Sequence, residues 1–281
     1  PLAELQSRVR NVHPTFYTVW MGVTDVLGFA TSGGTGDGTG DAVPVALNIY
    51  DSKDITPTKV FEDLYDSIVT AVSSEGALGA LIGIPDITKL PYFTTVPANG
   101  LNLTRQGQVD TLRMIYTDVR EKTFDLGSNY YIIRDHNNNI RQAVPGELIL
   151  LNIPQDSITC AGWGSYKPIP REYVLTTDEL QHIRAAVDRF NFVINKHAQD
   201  RNVPFVDMKS FFATLETGIH YNGIDYNTEF VSGGAFSLDG IHLNPRGNAL
   251  MANHILQTVN TFYKATIPLT DVNKYPGVKF P

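Results

Sequence analysis

Apolar positions along the chain follow two periods, and the switches between them mark out the elements. Leu2, Leu5 and Val9 recur at helical spacing, so residues 2–12 read as a helix. Phe16-Tyr17-Thr18-Val19-Trp20-Met21 is rich in β-branched and aromatic residues and stops at Gly22, which is the pattern of a buried strand. From Thr58 to Ser74, the residues Val60, Phe61, Leu64, Ile68, Val69 and Val72 fall on one side of a helix that Gly76 closes. Ala77 to Ile84 is a continuous apolar run ending at Pro85-Asp86, as expected of a strand covered on both faces.

The second half repeats the alternation. Glu147-Leu148-Ile149-Leu150-Leu151-Asn152 reads as a third buried strand, and Val203-Pro204-Phe205-Val206-Asp207 as a short fourth. Between them Thr176-x-x-Glu179 has the reciprocal pattern of a capping box. It opens a helix striped by Leu180, Ile183, Val187, Phe190 and Ile194. Asn244-Pro245, cap then first-turn proline, starts a last helix reaching about Tyr263. Residues 99–146 lack a strong period, apart from a hairpin in which Tyr130-Tyr131-Ile132-Ile133 turns through Asp135-His136-Asn137-Asn138-Asn139. The glycine-rich stretch from Ser32 to Asp41 fits neither a phosphate loop nor a repeated calcium turn, and reads as a mobile loop.

Helices alternating with buried strands imply an α/β fold, a three-layer α/β/α sandwich with a mainly parallel sheet. With no internal repeat or linker, residues 1–281 read as one domain. In such sheets ligands bind outside the carboxyl ends of the strands. Gly22, Pro85, Asn152 and the loop around Asp239 all fall at that edge.

Composition narrows the classes. The 42% hydrophobic and 18% charged content belongs to a globular chain, and the net charge of -7 disfavours nucleic acid as a partner. Lone Cys160 excludes an internal disulfide and reads as a small buried residue. No apolar run approaches the roughly 18 residues a transmembrane helix needs.

The chemistry concentrates in Phe236-Ser237-Leu238-Asp239-Gly240-Ile241-His242-Leu243-Asn244-Pro245-Arg246-Gly247. A carboxylate three residues before an imidazole, on a loop entering a helix, can bond one ring nitrogen and leave the other to take a proton from a nucleophile. No serine or cysteine of the chain sits in a recognisable nucleophile motif, so two members of a triad are legible and the third is not. Ser32, the serine nearest the inferred site, lacks a rigid strand-to-helix turn to fix it. His182, His197, His220 and His254 have no acid partner in sequence and read as surface or packing residues, and His136 as solvated. Their spacing suggests no catalytic metal, and no cofactor is expected. Asn102-Leu103-Thr104 fits a glycosylation sequon.

These residues together resemble the SGNH hydrolases, the GDSL-type lipases and esterases, from about Phe16 onward. Asp239-Gly240-Ile241-His242 and its Asn-Pro-Arg-Gly helix start are similar to the family block that supplies the acid and the base. Trp20-Met21-Gly22-Val23-Thr24-Asp25 resembles the Gly-x-Asn-Asp block, whose Gly backbone and Asn side chain line the oxyanion hole. Ile84-Pro85-Asp86-Ile87-Thr88 and Tyr275-Pro276-Gly277-Val278 look like a lipase-like branch. The resemblance implies a carboxylic ester hydrolase acting on a small-molecule ester or acylated substrate, with Asp239 and His242 catalytic and Gly22 and Thr24 at the oxyanion hole. It also implies a secreted or cell-envelope location. Two departures qualify it. Thr24 stands where the family has Asn, and its hydroxyl reaches less far than a carboxamide. The family's Gly-Asp-Ser nucleophile and a second oxyanion glycine have no counterpart. With the Met-less start, this leads to the expectation that two strand-helix units of about 30 residues each precede Pro1. The chain would then be the C-terminal part of a larger catalytic domain, inactive alone. The alternative is a non-catalytic lipid- or carbohydrate-binding domain derived from such a hydrolase.

Overall fold

A computed structural model describes residues 2–40, 51–74, 76–117, 119 and 123–278. In chain order the elements are α1 (Leu2–Val12), β1 (Phe16–Trp20), α2 (Thr24–Thr31), α3 (Thr58–Ser73), β2 (Leu78–Ile82), α4 (Pro91–Thr94), β3 (Leu101–Leu103), α5 (Gln106–Ile115), β4 (Gly127–Asn129) and β5 (Ile132–Arg134). There follow β6 (Ile140–Gln142), β7 (Leu148–Ile149), α6 (Gln155–Thr159), β8 (Val174–Leu175), α7 (Thr177–Asp200), β9 (Phe205–Val206), α8 (Met208–Thr217), β10 (Ile219–Tyr221), β11 (Ile224–Tyr226) and α9 (Pro245–Tyr263).

The central sheet is parallel, in the order β1-β2-β9. Its interior strand β2 is buried from Gly79 to Ile82, which is why its sequence is an unbroken apolar run. Helices α3 and α7 pack against each other and against the sheet, with Phe61, Tyr65 and Val69 of α3 facing Phe190 and its neighbours on α7. Leu64, expected on the core stripe of α3, is instead exposed, and Tyr65 takes the core position. The α7 stripe is buried throughout, and its capping box forms: Glu179 accepts from the Thr176 amide and hydroxyl at 2.6 and 2.8 Å. At the far end of α9, Tyr263 Oη donates to the Gly79 carbonyl at 2.9 Å and accepts from the Gly79 amide at 3.3 Å. That hydroxyl satisfies polar groups of β2 where β9 has not yet begun.

Four further expectations need correction. β1 is not buried on both faces: Tyr17 and Val19 point into the core, while Phe16, Thr18 and Trp20 are exposed. It is an edge strand, and on its outer face Phe16 packs edge-to-face against Tyr263 while Trp20 stays exposed. The run 147–152 is not a strand of the central sheet; β7 is two residues long and pairs antiparallel with β8. An apolar run specifies burial but not a partner, and here the burial is divided: Ile149 joins a separate small core with Ile133 and Ile169, while Leu150 belongs to the main core, with Leu148 and Leu151 packed against it. The glycine stretch from Ser32 is packed: a Cβ on Gly38 would lie 2.7 Å from Phe29, and the Ile55 amide bonds the Asp37 carbonyl at 2.9 Å. Asp41 lies outside the described residues, as do the side chains of Leu2 and Leu5. Cys160 is exposed. The hairpin expected near Asn137 is present as β5 and β6.

Candidate active site

The loop between Phe236 and Asn244 folds back on itself before α9 begins. Phe236 and Leu243 form an antiparallel bridge, and the Ser237 amide bonds the His242 carbonyl at 2.8 Å. Gly240 makes the turn at φ +70, a conformation side chains with a Cβ rarely adopt. A Cβ there would also sit 2.8 Å from the Tyr92 amide, which donates to the Gly240 carbonyl at 2.9 Å. Asn244 closes the loop at a buried position. Its Oδ1 caps α9 by accepting from the Arg246 and Gly247 amides at 2.9 and 3.0 Å, while its Nδ2 donates to the Gly234 and Phe236 carbonyls at 2.8 and 3.2 Å.

Inside this frame the Asp239 carboxylate is heavily bonded. Oδ1 accepts from Ser237 Oγ at 2.6 Å and from the Ile241 and His242 amides, each at 2.9 Å. Oδ2 lies 2.6 Å from His242 Nδ1. Partial burial pushes the carboxyl up, but the hydrogen bonds from Ser237, His242 and the two amides outweigh it and hold it well below the usual carboxylate range. Asp239 is therefore ionised at neutral pH and can only accept, which assigns the His242 proton to Nδ1. The Nε2 lone pair then faces outward on a ring that is 77% exposed.

The neighbouring elements bring this loop to the carboxyl ends of the strands. The chain leaving β2 is held by Asn191 of α7, which accepts from the Ile84 amide at 2.7 Å and donates to its carbonyl at 2.8 Å. Asp86 caps the next turn through Thr88, and α4 carries Tyr92 to Gly240. The Leu151 amide donates to the Tyr92 carbonyl at 2.9 Å, so the stretch before Asn152 reaches the same corner despite belonging to a different sheet. Arg246 Nε donates to the Tyr275 carbonyl at 2.8 Å and ties the Tyr275-Pro276-Gly277 segment to the first turn of α9.

Gly22 follows β1 at φ +110 and is buried; a Cβ would approach Ile84 Cδ1 to 2.4 Å. Thr24 is exposed at the first turn of α2 and shares a dent of about 140 Å³ with Asp25, Asp51, Ser52, Asp54 and Thr56. No hydrogen bond joins either residue to the Asp239 loop among the described residues. Ser32 Oγ donates to the Phe29 carbonyl at 2.9 Å and lines a polar cleft of about 800 Å³ with Asn152, Arg171 and Tyr173, to which His242 does not contribute.

Two partnerships escaped the sequence. His220 does have an acid partner: β10 and β11 set it opposite Asp225, with Nδ1 2.7 Å from the carboxylate. His197 has Asp66 at 3.6 Å, brought to it from another helix. Ser237 also went unread as part of the site, although a hydroxyl two residues before an Asp is a local pattern that could have flagged it. No group of three His, Cys, Asp or Glu side chains is arranged for a metal ion, and no helix is long and apolar enough to cross a membrane, among the described residues. No curated protein and no solved structure matches the chain. A family model does: that of the GDSL-like lipases and acylhydrolases, over residues 1–255.

Proposed function

The chain thus belongs to the GDSL-like lipase/acylhydrolase family, and from that premise we propose that it carries the acid and base of a serine carboxylic ester hydrolase. The observation that carries the reading is the 2.6 Å contact between an ionised Asp239 and His242 Nδ1, with Nε2 left outward on an exposed ring. A serine hydroxyl attacks the ester carbonyl carbon as its proton passes to His242 Nε2, and Asp239 stabilises the imidazolium. The negative charge that develops on the carbonyl oxygen is taken by the Gly22 backbone N–H and by Thr24, each such donor being worth roughly 3 kcal/mol in the transition state. His242 then returns the proton to the leaving alcohol. Water, activated by the same imidazole, releases the acid and restores the serine.

Among the described serines none bonds Nε2, and Ser237, the nearest in sequence, is committed to the carboxylate. We therefore assign the nucleophile to a segment outside residues 1–281 that docks on β1. In support, β1 is an edge strand of a parallel sheet, and Phe16, Trp20 and Met21 there are 40%, 39% and 40% exposed. Parallel strands are normally covered on both faces. One dent argues for the non-catalytic alternative: Asp25, Asp51 and Asp54 around Thr24 place negative charge beside a residue meant to receive an oxyanion.

A fluorophosphonate probe separates the two readings. It should label the complete polypeptide that contains these residues, and His242→Gln should abolish the labelling. The 281-residue chain alone should stay unlabelled. An unlabelled complete polypeptide would overturn the ester-hydrolase reading, and labelling of the chain alone would overturn the assignment of the nucleophile.

A further inference from the structure

We propose that Ser237 is a positioning residue, one that aims the Asp239 carboxylate at His242 through its hydroxyl. A carboxylate carries two equivalent oxygens and rotates easily about its Cβ–Cγ bond, so an imidazole alone does not fix which oxygen it meets. Here the division of labour is complete. Oδ1 takes three donors, and Oδ2 takes the imidazole alone among the described residues. Two of the three donors are amides of Ile241 and His242, which follow Asp239 in the chain. The third, Ser237 Oγ, precedes it and makes the shortest contact to Oδ1, at 2.6 Å. The oxygen is therefore held from both flanks of the loop, and removing the hydroxyl leaves it held from one.

The backbone around Ser237 stays in place without its side chain. Its amide bonds the His242 carbonyl at 2.8 Å and its carbonyl accepts from the Gly240 amide at 3.1 Å. The loop is further closed by the Phe236–Leu243 bridge and by Asn244. Side-chain aim and loop integrity are thus carried by different groups and can be separated by substitution. A charge-assisted hydroxyl–carboxylate bond of this length is among the stronger neutral-to-charged contacts in proteins, so its loss should be measurable.

The catalytic consequence rests on the ester-hydrolase reading, whereas the positioning is measurable without substrate. In the 281-residue chain labelled uniformly with ¹⁵N, the His242 Nδ1–H should give a low-field, slowly exchanging proton resonance, identified by its loss in His242→Gln. Ser237→Ala should speed its exchange roughly tenfold, the factor one such hydrogen bond supplies, with the Ile241 and His242 amide signals unmoved. Ser237→Thr, which keeps the hydroxyl, should restore the wild-type rate. An Nδ1–H that exchanges in Ser237→Ala as it does in wild type would overturn the proposal. So would a Ser237→Ala in which the two amides shift along with the imidazole and Thr fails to rescue, because Ser237 would then be a loop stabiliser only. Failure of fluorophosphonate labelling, with these NMR results as expected, would instead remove the hydrolase reading and leave the positioning intact.

Discussion

Two exposed Asp–His pairs of almost the same length occupy different parts of this molecule. Asp239 and His242 are 2.6 Å apart and Asp225 and His220 are 2.7 Å apart. Distance does not distinguish them; the surroundings do. Asp239 has three further donors on its second oxygen, lies in a loop pinned to α4 and α9, and sits where the parallel strands end. Asp225 meets His220 across a two-stranded hairpin, with side chains that are 82% and 69% exposed. The first pair is held by its frame and the second holds only itself. An exposed ion pair of that kind contributes at most about 1 kcal/mol.

The largest expected effect separates the pairs by activity. On the proposed ester-hydrolase reading, in which Asp239 is the triad carboxylate, Asp239→Asn in the complete polypeptide should lower kcat/KM for a chromogenic ester by about ten-thousandfold, while Asp225→Asn should leave it unchanged. Equal losses from both would dissolve the distinction.

Stability should separate the turns that carry them. Gly240 and Gly223 both have positive φ, at +70 and +81, but a Cβ on Gly240 would press on the Tyr92 amide and one on Gly223 meets open space. Gly240→Ala should therefore cost roughly 3 kcal/mol in urea unfolding and Gly223→Ala about 1.

A pH series sharpens the contrast further. The folded-state pKa of Asp239 is depressed, so the stability it contributes is present above its unfolded value near 3.8 and lost as pH falls through the folded one. In Asp239→Asn the acid limb of a plot of melting temperature against pH should be shallower than in wild type. A separate limb comes from His197 and His254, both depressed by burial; their contribution is full above about 6.5 and declines as pH falls below it, in wild type and variant alike. The smallest effect is that of His220→Ala on thermal unfolding, within about 0.5 kcal/mol.

The same contrast explains what the sequence disclosed. The first pair was legible because its members are three residues apart, ahead of an Asn-Pro helix start, so one short string encodes both the contact and its frame. His220 and Asp225 meet only after a hairpin has formed, in a register that no short-range pattern states. The long helices were legible for the reason the loop was: the stripe of α7 and its capping box lie within the element they specify. What failed were statements about partners. An apolar run at 147–152 promised burial and received it, but with β8 as its strand partner and its side chains split between the main core and a small local one. The alternation in β1 was hidden because Phe16 and Trp20 are apolar on the exposed face as well, so composition masked a period of two. The tight packing of the Ser32–Gly40 stretch depends on Phe29 and on Asp54, which composition alone does not reveal.

The clamp of Tyr263 on Gly79 has a mechanical meaning. Helix α9 is about 28 Å long at 1.5 Å per residue, with His242 just ahead of one end and Tyr263 at the other. It acts as a strut whose foot is bolted to the starting end of β2 and whose head carries the His242 loop. Tyr263→Phe, which unbolts the foot, should therefore loosen the anchoring of α9 at the base of the sheet, far from the imidazole at its other end.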